Sequence, residues 1–96
     1  MKILGYDYIL HIKPKSDMGG NSGFCDFDSQ VLSVCEELKD DGKASTLLHE
    51  IVEAINYHLC LDLKENQVMG IEAGLFQVLT DNGVSLSPLL KEKYND

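Results

Sequence analysis

The run Thr46-Leu47-Leu48-His49-Glu50-Ile51-Val52-Glu53-Ala54-Ile55-Asn56-Tyr57-His58-Leu59 constrains this chain more than any other stretch. Leu48, Ile51, Val52, Ile55 and Leu59 recur at helical spacing, so the segment reads as an amphipathic helix whose apolar stripe must face a core. His49 and Glu53 stand one turn apart and leave the same side of that helix, beside the stripe. An imidazole and a carboxylate so placed can clamp one cation. Glu50 follows His49 and points about a quarter-turn away, where it suits a water next to the cation better than the cation itself. The same residue types also make up the ordinary polar side of a surface helix. The rest of the chain has to decide between the two readings.

In the spacing His-Glu-x-x-His the two His bind zinc and the Glu is a general base. Here Glu53 stands where the second His would be. A third ligand must come from another element, and the next one is close. Leu61-Asp62-Leu63 is the only break before a second helix, and so short a connection makes the two helices antiparallel or steeply crossed neighbours. Val68, Ile71, Leu75, Val78 and Leu79 give the second helix its apolar stripe, and Asn82-Gly83 closes it. Glu65, in its first turn, is folded back towards His49 and Glu53 and is the candidate third ligand. Two alternatives stand beside that role. Asp62-Leu63-Lys64-Glu65 also has the form of a capping box, and Glu72, two turns further along, competes for the same position.

The N-terminal third reads as sheet. From Ile3 to Ile12 the residues alternate, with Tyr6, Tyr8, Leu10 and Ile12 on one face of a half-buried strand that Pro14 ends. Lys15 to Gly23 is a polar, glycine-rich linking loop; it lacks the Gly-Lys-Ser/Thr ending of a phosphate cradle. Phe24–Asp28 and Val31–Cys35 form a hairpin, with Asp26 and Asp28 as turn residues rather than ligands of a calcium loop. Asp40, Asp41 and Ser45 are candidate N-caps of the central helix. Beyond Gly83, a short helix is expected in the tail from Ser85 to Asp96.

Composition narrows the function classes. The 96 residues allow one domain with one modest core, and 44% apolar with 25% charged residues is the balance of a globular chain. A formal charge of −8 and the absence of a basic cluster argue against nucleic-acid binding. Such acidity suits a basic partner surface or the concentration of divalent cations. No apolar run reaches the length of a membrane span and no cleavable leader is visible, so a cytoplasmic location is expected. Cys25, Cys35 and Cys60 are odd in number and lack Cys-x-x-Cys spacing, which predicts buried free thiols.

Cys25-Asp26-Phe27-Asp28, the run from Thr46 to Ile55, and Leu61-Asp62-Leu63-Lys64-Glu65-Asn66-Gln67-Val68 with Leu75 together resemble a group of small zincin-like proteins of phages and bacterial mobile elements. These are minimal relatives of the gluzincin and ImmA/IrrE-type metallopeptidases. The resemblance covers more than half of the chain, from Phe24 to Leu79. It implies an α+β fold in which a small N-terminal antiparallel sheet of about three strands packs on two consecutive helices. The corresponding division is strands over 1–35, a metal-site helix over 41–60, a packing helix over 63–82 and a tail over 83–96. It assigns His49, Glu53 and Glu65 to the metal, Glu50 to general-base catalysis, and a peptide or protein as the partner, and charge and apolar run length add the expectation of neither nucleic acid nor membrane. Zinc is the implied cofactor. The departure is Glu53, because a His-Glu-Glu set is harder and more anionic than His-His-Glu and either moves the preference towards iron or manganese or lowers the affinity for zinc. Tyr57 and His58 are the positional candidates for stabilising an oxyanion. Two functions follow, a minimal metal-dependent peptidase and an inactive zincin-like domain that binds another protein.

Overall fold

The computed structural model describes residues 1–91, and it is an α+β fold in which two small sheets and three helices surround one core. The order is β1 (Lys2–Ile3), β2 (Tyr6–Asp7), β3 (Ile9–Lys13), β4 (Gly23–Asp26), β5 (Val31–Cys35), α1 (Asp40–Leu59), α2 (Glu65–Asp81) and α3 (Ser87–Leu90). The charged end of the expected tail helix, residues 92–96, lies outside the described residues.

The stretch expected as one strand from Ile3 to Ile12 is three. Leu4 and Gly5 both adopt positive φ, 52° and 85°, and turn β1 back on β2 as an antiparallel hairpin. Two positive φ values in a two-residue loop match the right-handed twist of the paired strands. The Met1 ammonium donates to the Tyr8 carbonyl at 3.0 Å and Tyr8 N–H donates back to Met1 at 2.8 Å, which extends the hairpin by one pair. The alternation survives from Tyr8 onward: Tyr8 and Leu10 are buried while Ile9 between them is exposed.

The main sheet is mixed, not antiparallel. Its order is β3-β5-β4, with β3 parallel to β5 and β4 antiparallel to it. The hairpin from β4 to β5 is local and forms as its sequence requires. The parallel pair is not local. After Lys13 the chain passes Pro14 and a 3₁₀ turn at Lys15–Asp17, then crosses to the far edge of the sheet before β4 begins, which leaves the middle place to β5. Leu32, Ser33, Val34 and Cys35 are consequently buried in succession, the pattern of a strand covered on both faces. The crossing loop is less polar in use than in composition, since Met18 is buried.

One face of the sheet packs on α1, and Ile3, Tyr8, Leu10, Cys25, Leu32, Val34, Leu47 and Ala54 form the central cluster. On α1 the buried apolar residues are Leu47, Leu48, Val52 and Ala54, with Ile51 and Ile55 half-buried; Leu59, expected in the stripe, is exposed. The helix begins at Asp40, more than two turns before His49. Lys39 is the N-cap and makes no side-chain cap, so Asp40 and Asp41 act through the helix dipole from the first turn, and Ser45 lies well inside the helix. Cys60 ends α1 in the left-handed conformation, φ 52°, and is exposed, unlike the buried Cys25 and Cys35.

The second helix differs most from expectation. Of its predicted stripe only Val68 is buried and Leu79 half-buried, whereas Ile71, Leu75 and Val78 are exposed. Its start is capped by Gln67, whose Oε1 accepts the Lys64 N–H at 2.8 Å, so the Asp62/Glu65 capping box does not form. Glu65 is thereby left free of a capping duty. No helix among the described residues is long and apolar enough to cross a membrane.

Candidate metal centre

α1 sets the site because it is the element packed on the sheet. His49 and Glu53 emerge from the side of α1 that faces α2, and α2 returns alongside because the connection is short and held. Asn56 holds it: its Oδ1 accepts Leu63 N–H at 2.9 Å and its Nδ2 donates to the Leu63 carbonyl at 3.3 Å. Those two bonds fix the residue before the α2 cap, and Glu65 follows directly. Asn56 carries no sequence signature of this role beyond its place before the loop.

His49 is contacted on both ring nitrogens. Its Nε2 lies 3.7 Å from Glu53 Oε2 and 3.5 Å from Glu65 Oε1, and one ligand atom from each of the three residues falls within 4.8 Å of the other two. On the opposite edge, His49 Nδ1 is 3.1 Å from Glu72 Oε1. Glu72 Oε2 accepts the Ser45 hydroxyl at 2.7 Å, which holds the carboxylate in place. The two candidates for the third ligand are therefore separated in space. Glu65 stands with Glu53 on the Nε2 side, and Glu72 stands behind the ring. A carboxylate can only accept, so the contact with Glu72 is made by an Nδ1–H, and a cation held with Glu53 and Glu65 would take the Nε2 lone pair. A carboxylate behind a ligating imidazole is the usual second support of a metal site.

The donor set fits a small divalent cation. Zinc–nitrogen and zinc–oxygen bonds of about 2.0–2.2 Å put neighbouring donors of a tetrahedral site about 3.3–3.5 Å apart, close to the two distances measured from Nε2. With His49, Glu53 and Glu65 as ligands, a four-coordinate ion would keep one position for water or substrate.

Glu50 is turned the other way around α1 and is only 7% exposed. Strand β4 passes directly over it. A Cβ on Gly23 would lie 2.8 Å from Glu50 Oε2 and 2.5 Å from Thr46 Cγ2, so glycine at the first position of β4 is what lets the strand approach the helix. That role was invisible in a loop read as a linker. The Glu50 carboxylate makes no hydrogen bond among the described residues and borders a cleft of about 280 Å³ with Ser22, Gly23, Thr46, His49 and Glu72. Its pKa is raised to about 7, by burial first, with His49 opposing the rise and the nearby Glu53 and Glu65 adding to it. Glu53 is also raised, first by desolvation and then by Glu65. A carboxyl held near neutrality beside a cleft is suited to accept and return a proton.

The two oxyanion candidates have other duties. His58 Nε2 is 2.6 Å from the Tyr8 hydroxyl, and the Tyr6 ring stacks on His58 with centroids 4.0 Å apart. Tyr57 stacks on Phe27 at 4.3 Å. Both belong to an aromatic cluster that pins the β2 and β4 ends to the C-terminal end of α1. Asp26, likewise, accepts the Ser29 N–H at 3.1 Å and serves its turn.

No known protein family, curated protein or solved structure matches this chain.

Proposed function

We propose that the chain is a small zincin-like domain that binds one divalent cation through His49, Glu53 and Glu65, and that it acts as a minimal metal-dependent peptidase with Glu50 as general base. The observation that carries this reading is the two-sided environment of His49, with Glu53 and Glu65 at Nε2 and Glu72 with Ser45 behind Nδ1. Zinc is the first choice, and the two hard carboxylates make iron or manganese the alternatives. When bound, the cation would polarise a peptide carbonyl and lower the pKa of water. Glu50 would take the proton of the attacking water and return it to the leaving amine. A peptide substrate suits the neighbourhood, because β4 is the sheet edge beside Glu50 and pairs only with β5 among the described residues. An extended chain can add to such an edge.

The test is hydrolysis of an unstructured peptide mixture by zinc-loaded protein. Glu50→Gln should lower the rate at least ~100-fold, the scale of general-base catalysis, while the metal content stays unchanged. A second reading, an inactive zincin-like module that binds a protein, is favoured by the outer face of α2. There Met69, Ile71, Leu75 and Val78 are exposed, with no charged residue among them. Metal bound without hydrolysis would select it.

A further inference from the structure

We infer that the cation is the clip that holds α2 against α1, so that docking of α2 depends on divalent metal. This rests on the reading that His49, Glu53 and Glu65 take a cation, and it assigns that cation a structural consequence.

The attachment of α2 is thin in apolar terms. Val68 is its one buried residue, and Phe76 and Leu79 are half-buried. The remaining joins are polar: the Ser45 and His49 contacts to Glu72, and the Asn56 bonds to Leu63. Against them stands a concentration of like charge. Glu53 from α1 and Glu65 from α2 crowd the Nε2 side of a single imidazole with Glu72 behind its Nδ1, and among the described residues none of the three is ion-paired with a lysine. Carboxylates that close repel one another when they have no counter-charge. A divalent ion at Nε2 would reverse the balance in two ways. It would neutralise the crowded carboxylates, and it would bond one residue of α2, Glu65, to two of α1.

The proposal separates charge from coordination, because removing the carboxylate charge should imitate the ion. In amide hydrogen exchange followed by mass spectrometry, zinc chloride should slow exchange of residues 66–80 in the wild type at least tenfold, with the buried turns of α1 unchanged. In Glu53→Gln/Glu65→Gln the same segment should exchange at least threefold more slowly than in metal-free wild type, and added zinc should change it no further. Stoichiometric zinc binding, read by titration, without any change in exchange of 66–80 would overturn the clip and leave the metal site standing. Failure of zinc, manganese and iron(II) to bind at all would overturn both. A double variant whose second helix exchanges as fast as that of metal-free wild type would refute the repulsion on which the clip depends.

Discussion

α1 and α2 run to 20 and 17 residues and both carry apolar residues at helical spacing, yet they are held in the fold by different forces. α1 is buried on the sheet side through Leu47, Leu48, Val52 and Ala54, and its other flank meets α2. α2 buries Val68 alone and leaves Ile71, Leu75 and Val78 to solvent. The first helix is placed by area removed from water, which is indifferent to small changes in charge. The second is placed mainly by Glu72, Asn56 and the candidate metal cluster, all of which depend on charge and hydrogen-bond geometry. A site built across such a pair has a rigid half and an adjustable half.

The comparison breaks if the two helices respond alike to truncation. Leu47→Ala removes a fully buried side chain from the central cluster and should cost about 2–5 kcal/mol in urea unfolding. Leu75→Ala on α2 should change stability by less than about 0.5 kcal/mol. Equal losses would mean that the outer face of α2 is covered by the protein itself.

A next largest effect is expected where β4 meets α1. Gly23→Ala places a methyl group against Thr46 and Glu50 at distances that side chains do not tolerate, so either those side chains or β4 must shift, at a cost of about 1–3 kcal/mol in the same unfolding assay. By contrast, an added Cβ at Gly74 meets nothing within 4 Å, and Gly74→Ala should stabilise the chain by about 0.5–1 kcal/mol through the better helix former. A destabilising Gly74→Ala would contradict the open outer face of α2.

What could be read from residues alone follows the same division between local and distant causes. The spacing of His49, Glu50 and Glu53 on one helix, and the return of Glu65 beside them, depend on helix geometry and a short loop, both local. The parallel pairing of β3 with β5 joins Ile9 to Val31 and has no local signature. Leu4 at positive φ was unreadable because leucine is an unusual residue there, and its neighbour Gly5 alone gave no reason to break a well-alternating strand. The stripe on α2 misled for another reason. Periodicity reports that a helix has an apolar side, and the burial of that side depends on which elements reach it. Gly23 was visible only as a loop residue and Glu72 only as a competing ligand; their uses, a close approach and the support of His49, arise from contacts across the fold.

The smallest expected effect sharpens the picture of the rigid half. Cys25 lies buried on β4, and burial pushes its thiol pKa from the ordinary 9.0 up to about 12, with Glu50, Glu53 and Asp26 adding to the rise. The folded protein keeps this proton where the unfolded chain releases it. Its contribution to stability is therefore fully present below about pH 9 and is lost as pH rises towards 12. At pH 8, Cys60 should react with a thiol reagent at once and Cys25 only on unfolding, as peptide mapping would show. Prompt labelling of Cys25 would mean that β4 opens away from α1.

The central claim is that His49 organises a cation site, and zinc titration calorimetry on tag-free protein tests it most directly. Wild type and Glu50→Gln should each bind one equivalent, and His49→Ala should lose at least tenfold in affinity, about 1.4 kcal/mol. Wild type that binds no zinc, or His49→Ala that binds it as tightly as wild type, would contradict the account.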